Sequence, residues 1–232
     1  MSKGLFVLGT GTDIGKTYVT GLILKYLRDN DYNASYFKAA LSGAIKDADG
    51  NIIPGDAVEV LSMAGLEEDT SFLVPYIYET AVSPHLASQI EGNPVSMEVV
   101  KSSYESVCKK YDYIVMEGSG GIVCPIRYDI ENPSSNIMLE DIIKELDLNV
   151  VLIADAGLGT INSIVTTVEY LKNRDILVCG ILMNNYKDCP MEIDNVKMVE
   201  DLCGVDVIAK IYKNDKNLSL DVDEEVFISF FK

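Results

Sequence analysis

The nine residues Gly9-Thr-Gly-Thr-Asp-Ile-Gly-Lys-Thr17 are the part of this chain best equipped for chemistry. Holding a polyphosphate takes several backbone N–H groups turned inward, a lysine for the β and γ oxygens, and a hydroxyl that can reach Mg2+. Gly15, Lys16 and Thr17 form the Gly-Lys-Thr end of such a loop, with a helix start behind them. The spacing is unusual: Gly9 lies six positions before Gly15, and the fifth position back is Thr10. A glycine-rich strand-to-helix turn without a ligand is the plain alternative. Gly-Lys-Thr in this setting argues for a phosphate.

A phosphate loop also needs a carboxylate near its metal, at the end of a neighbouring strand. Two places offer one, Glu117-Gly-Ser-Gly-Gly121 and Asp155-Ala-Gly-Leu-Gly159. Pattern alone does not choose, and either acid could be a solvated strand end. The glycines after Glu117 would let backbone come close to a phosphate, which favours Glu117. Asp56 opens a helical pattern carrying Val58 and Leu61 and, taken alone, reads as an N-cap. Lys38 ends a strand on the loop's edge of the sheet, where a lysine commonly snorkels to the surface. His85, the one histidine, could touch an anion at a helix start or simply pack locally.

The elements that must position these residues are legible as apolar runs. Strands are expected over residues 4–9, 35–38, 113–116, 149–154, 176–183 and 205–209. Between them lie helical spacings, such as Val19, Leu22, Ile23, Tyr26 and Leu27, or Ile161, Ile164, Val165, Val168 and Leu171. Others run through Val100, Tyr104 and Val107, through Leu139, Ile142, Ile143 and Leu146, and through Val196, Val199 and Leu202. Ser83-Pro84 reads as a helix start with Ser83 as the cap. Near-continuous Val, Ile and Leu in the strands means that both faces are covered. The expectation is an α/β chain, residues 1–232 forming one domain, with a doubly wound, mostly parallel sheet and helices on both faces. In such sheets the ligand sits beyond the carboxyl ends of the strands.

Composition sets limits on partners. The 232 residues carry 19 Lys and Arg against 36 Asp and Glu, a net charge of −17, which disfavours nucleic acid and anionic membranes. An anionic substrate must therefore be caught by local lysines and backbone N–H groups. Five cysteines without a C-x-x-C pair and a single histidine give no zinc set, so reduced thiols are expected. No apolar run approaches the ~18 residues of a membrane span, and the N-terminal stretch is too short for a signal peptide. The expected location is the cytoplasm.

Together these pieces resemble the dethiobiotin synthetase family, of the P-loop NTPase type. The resemblance is carried by Gly9 to Thr17, Phe37-Lys-Ala-Ala-Leu-Ser-Gly43, Gly55-Asp56-Ala57, Ser83-Pro-His85, Val115-Met-Glu-Gly-Ser-Gly-Gly121, Leu158-Gly-Thr-Ile-Asn162 and Gly180-Ile-Leu-Met-Asn-Asn185. They stand in the family's order as far as about residue 185, and the family shares the long Gly-Lys-Thr loop. The resemblance implies ATP-dependent closure of a cyclic urea. CO2 and 7,8-diaminononanoate would give dethiobiotin, ADP and phosphate through a phosphorylated carbamate. It further implies that Thr17, Asp56 and Glu117 hold Mg2+, and that Lys16, Lys38 and Thr12 act in catalysis. Nucleotide contacts would come from Gly11, Thr12, Asp13, Ile14, Gly15, Lys16, Thr17, Tyr18, Asp56 and Glu117, with Asn184, Asn185, Ile211 and Tyr212 around the base. Substrate would meet Thr12, Lys38, Ser42, Gly118 and Gly120. Gly159, Thr160 and Asn162 would reach it from the neighbouring subunit of a homodimer.

Three positions depart from the family pattern, namely Ala39 where proline is usual, Asp155 where a basic residue is frequent, and Tyr212 where proline is common. Residues 214–232 match nothing in it. Two rival readings share the broad fold. An ATP-driven switch of the partition or septum-positioning type would need a second lysine in the loop, and Gly9-Thr-Gly-Thr has none. A cobyrinate-type amidating synthetase would need a glutaminase Cys–His pair, and the one histidine is His85.

Overall fold

The strand Lys3–Gly9 is the pivot of the molecule in the computed structural model, which describes residues 2–232. It belongs to a six-stranded sheet with the order Val207–Tyr212, Val178–Tyr186, Asn149–Asp155, Lys3–Gly9, Tyr113–Glu117, Ala34–Phe37. Every neighbouring pair is parallel. Leu5, Phe6, Val7 and Leu8 are all fully buried, as are Val150 to Ala154. Successive residues of a strand point to opposite faces, so unbroken burial means cover on both sides. The buried side chains join into one apolar cluster.

The chain winds first to one side of Lys3–Gly9 and then to the other. This places the turn after Gly9 between the carboxyl ends of two flanking strands, the position where doubly wound sheets bind ligands. Val7 is in register with Glu117 and Gly9 with Ile153, so Glu117 and Asp155 flank the turn. The turn feeds the helix Lys16–Asp29, whose buried face is Val19, Leu22, Ile23 and Leu27.

Two glycines are dictated by this junction. Gly15 is the N-cap at φ 86°, a left-handed conformation that disfavours side chains. A Cβ there would also lie 2.3 Å from Asn184 Nδ2. At Gly9 a Cβ would come within 2.7 Å of Lys16 Cδ, so the lysine stem lies across the bare glycine backbone. That close approach accounts for a glycine six positions before Gly15.

Several boundaries differ from the sequence expectation. The strand expected over 35–38 ends at Phe37, leaving Lys38 just past it. The strand expected over 176–183 runs Val178–Tyr186, since Leu177 is exposed while the buried run continues through Asn184. The strand expected over 205–209 is Val207–Tyr212. Ser83 does precede the helix Pro84–Ile90, but its hydroxyl meets His85 Nδ1 at 3.0 Å rather than capping a backbone N–H. Asp56 is not the N-cap of Gly55–Met63. Pro54 occupies that place, and Asp56 sits in the first turn with its carboxylate free for another partner.

Short paired strands, Ala40–Ser42 with Tyr76–Tyr78 and Pro125–Arg127 with Ile137–Met138, are too brief to leave a periodic trace. The last segment turns away from the ligand edge. Phe227 of Glu224–Ser229 is buried, and Lys232 exchanges backbone hydrogen bonds with Gly4 at the start of the pivot strand.

Candidate active site

A cleft of about 990 Å3 opens at the carboxyl edge of the sheet. Thr12, Asp13, Gly15, Lys16, Thr17 and Tyr18 form its floor, Lys38, Ser42 and Asp56 one wall, and Glu117, Gly118 and Gly120 the back. Ala81, Val82, Pro84 and Val123 give an apolar flank. The cleft thus joins a phosphate loop to a space with both polar and apolar walls.

Glu117 is the node. It is 2% exposed, and each of its oxygens has partners. Oε1 accepts from Thr17 Oγ1 at 3.0 Å and from Lys38 Nζ at 3.0 Å, while Oε2 accepts from Tyr36 Oη at 2.9 Å. Lys38 Nζ also donates to Asp56 Oδ2. A lysine that reads as snorkelling is thus 4% exposed, with its ammonium between two carboxylates. Burial by itself would drive that ammonium toward neutrality. Glu117 and Asp56 more than offset it and raise the Lys38 pKa above its ordinary value, so it carries a proton at neutral pH.

Lys16 behaves oppositely. Its Nζ donates to Gly11 O at 2.7 Å. Burial lowers its pKa; Glu117 opposes this in part, and Lys38 adds to it. Such a lysine gains from an incoming polyanion, which restores the favourable charge environment that burial removed. Glu59 also faces the cleft, with its carboxyl raised by burial and by the nearby charges of Asp56 and Glu117.

Thr17, Asp56 and Glu117 form a small set of hard oxygen donors beside the phosphate loop. Mg2+ is commonly held by one or two carboxylates together with substrate phosphates, and this donor set fits it. No cluster of three or more His, Cys, Asp or Glu that could hold a metal alone occurs among the described residues. Asp155, the other strand-end acid, is exposed and turned to its own loop, accepting from Gly157 N at 2.9 Å and from Asn185 Nδ2 at 2.8 Å.

The remaining candidates lie outside the cleft lining. Asn184 is buried and its Nδ2 donates to Ile14 O at 2.7 Å, tying the phosphate loop to the neighbouring strand. Ile211 is buried in the core. Exposed Tyr212 packs edge-on against Tyr186, and its backbone N–H donates to Asp215 Oδ2 at 2.8 Å. Tyr18 Oη in turn donates to Asp215 O. Gly159 caps the helix Thr160–Lys172 at φ 94°, Thr160 Oγ1 is buried without a partner, and Asn162 is exposed.

Comparison with known proteins decides the family. An AAA domain model matches residues 3–217. An ATP-dependent dethiobiotin synthetase BioD of Clostridium novyi (strain NT) is 54% identical over 228 residues, covering 98% of this chain and 94% of that protein. The protein of the same name from Brachyspira hyodysenteriae (strain ATCC 49526 / WA1) is 48% identical over 222 residues, covering 95% and 96%. The chain belongs to the ATP-dependent dethiobiotin synthetases.

Solved structures show how widely the synthetase's fold is shared. The septum site-determining protein MinD complexed with Mg-ADP from Pyrococcus horikoshii OT3 superposes with a TM-score of 0.56 at 16% identity, covering 92% of this chain and 82% of its own. The signal recognition particle receptor FtsY from Elizabethkingia anophelis with GDP gives 0.56 at 15% identity, and this chain spans 64% of its length. These likenesses concern architecture alone. Family membership is what separates this synthetase from the switch and amidating readings.

Two features of the site escaped the sequence reading. Tyr36 Oη on Glu117 was missed, although Tyr36 and Lys38 alternate in sequence and so project to the same side, a period-2 signal that was available. Ser119 Oγ donates to Ala40 O at 2.8 Å and ties the glycine loop to the Lys38 segment; no sequence signal announces that pair.

Proposed function

We propose that this chain closes the urea ring of dethiobiotin from 7,8-diaminononanoate and CO2, consuming ATP and releasing ADP and phosphate. The supporting observation is the buried Lys38 ammonium, held between Asp56 and Glu117, with Glu117 in turn bonded to Thr17 at the helix start of the phosphate loop. A group suited to a carbamate thus stands one carboxylate away from the group suited to a nucleotide.

The chemistry asks for such an arrangement. A free alkylamine with pKa about 10.4 is almost wholly protonated at neutral pH, and only its neutral form attacks CO2. Fixed positive charge from Lys16 and Lys38 disfavours a nearby substrate ammonium and then favours the carbamate anion that forms. A carbamate oxygen attacks the γ-phosphorus and ADP leaves. The second amine then attacks the carbamate carbon, loses its proton, and expels phosphate as the ring closes.

In this reading Lys16 and the N–H groups from Gly11 to Gly15 hold the phosphates, with Asp13, Ile14 and Tyr18 shaping the loop. Lys38, Thr12, Ser42, Gly118 and Gly120 hold the diamine and its carbamate. The Val82 and Val123 flank suits the alkyl chain. Asn184, Asn185, Ile211 and Tyr212 border the base. Thr17, Asp56 and Glu117 would hold Mg2+, which when bound neutralises charge on the β and γ phosphates. Loss of one preorganised contact of this kind costs on the order of 3 kcal/mol in the barrier.

The assembly we infer is a homodimer, in which Gly159, Thr160 and Asn162 of each copy complete the partner's substrate site. Residues 1–232 act as one synthetase domain, and the reading places it in the cytoplasm, with neither nucleic acid nor membrane as partner. No helix among the described residues is long and apolar enough to cross a membrane. Incubation with ATP, Mg2+, bicarbonate and 7,8-diaminononanoate is expected to yield dethiobiotin by mass. No product with any nucleotide would overturn the reading.

A further inference from the structure

We propose that Tyr36 is a positioning residue for the metal carboxylate, fixing which oxygen of Glu117 faces the nucleotide. This rests on the reading of Glu117 as a Mg2+ holder given above.

Tyr36 lies on the edge strand Ala34–Phe37, in register with Val115, two residues before Glu117 on the adjacent strand. That register lets the phenol lean forward along the strand and put its hydroxyl 2.9 Å from Glu117 Oε2. Residue 38 follows on the same side and brings its ammonium to Oε1. The edge strand and the residue just past its end therefore grip both oxygens of one carboxylate with two side chains spaced two apart. Thr17, at the start of the loop helix, adds a second donor to Oε1.

The two oxygens are not equivalent. Oε1 carries the contacts that lead to the phosphate loop and to Lys38, whereas the Tyr36 hydroxyl donates to Oε2. Tyr36 is fully buried and Glu117 nearly so, so solvent is poorly placed to take over the hydroxyl's role. A carboxylate anchored on one oxygen alone can rotate about its last torsion. Anchored on both, it cannot, and Oε1 stays turned to the nucleotide. Outer partners of a metal ligand act in this way, and losing one costs about 10- to 100-fold in metal affinity.

The hydroxyl can be removed with little change of shape. In Tyr36→Phe held with ADP, Mn2+ titrated as the probe and followed by its electron paramagnetic resonance signal should bind about 10-fold or more weakly than in the unaltered protein. ADP affinity measured in chelator, without divalent metal, should stay unchanged. A packing role alone would lower the melting temperature without this split. Glu117→Gln is the reference. Weakened Mn2+ binding in Glu117→Gln with normal binding in Tyr36→Phe overturns the inference and spares the reading beneath it. Normal binding in both overturns the assignment of Glu117 itself. Should Tyr36→Phe fail to fold, Tyr36→Phe combined with Glu117→Gln removes the stranded charge. A better-folded double variant supports the contact, and one no better than the single variant overturns it.

Discussion

Lys16 and Lys38 sit at opposite ends of one electrostatic arrangement, and substitution should separate them. Burial depresses Lys16, which makes it receptive to phosphate, while Glu117 and Asp56 more than offset burial at Lys38 and raise its pKa. Lys38→Ala should stop ring closure and leave ATP affinity close to normal. Lys16→Ala should stop ring closure and weaken ATP binding as well, each loss in turnover being on the order of 10²- to 10³-fold. Product mass and ATP calorimetry check both, and normal turnover in Lys38→Ala would remove it from the mechanism. The thiols give a pH test. Burial pushes Cys124 and Cys179 up to about 11. The thiolate is the reactive form, so both should alkylate slowly at pH 8 and faster as pH rises toward 11. Peptide mapping after iodoacetamide checks this, and ADP should slow Cys124 alone because it lines the cleft. At this scale the sequence was a partial guide. Residue type and spacing marked Lys16 and Thr17 because the loop is local. The partners of Lys38, Asp56 and Tyr36 are brought together across 18 to 81 positions of chain, and isolated patterns misread two of the three.

Among the elements, the junction between the pivot strand and the Lys16–Asp29 helix tolerates least. Gly15 there combines a left-handed backbone with a neighbour 2.3 Å from where a Cβ would stand. Gly15→Ala must shift Asn184 or open the turn, and the Asn184 bond to Ile14 O goes with either movement. The left-handed strain alone amounts to about 1–2 kcal/mol. The expected outcome is a folded protein, melting a few degrees lower, whose ATP affinity falls at least 10-fold; unchanged affinity by calorimetry would show that the loop does not depend on this cap. All six sheet strands were legible, most of them because parallel strands covered on both faces are near-continuous Val, Ile and Leu, while the edge strand Ala34–Phe37 showed only a short aromatic run. Their ends were not, since a strand stops where its hydrogen-bonding neighbour stops. The two- and three-residue strands flanking the cleft had no period to read. Neither did the Asp215 turn, which reaches the loop helix through Tyr18.

At the scale of the whole molecule, the proposed homodimer divides its site between an inside and an outside. Lys38 is buried in the cleft, whereas Leu158 is 94% exposed and Asn162 is exposed at the start of Thr160–Lys172, beyond the cleft's own lining. In the proposed homodimer these residues serve the substrate of the other copy, and twofold symmetry makes the exchange mutual. This leads to a quantitative test. An Asn162→Ala chain and a Lys38→Ala chain should each be weak or inactive alone. In a mixed dimer, one site unites both lesions and the other unites native Lys38 with native Asn162. Equal mixing with free exchange makes half of the dimers mixed, so activity should recover to about a quarter of normal. Titrating one chain into the other should give a maximum near equal amounts, since excess of either regenerates its own damaged dimer. A mixture that stays at the level of its two parents, with subunit exchange confirmed by native mass spectrometry, would place Asn162 outside the site and leave each cleft to act with the residues of its own chain.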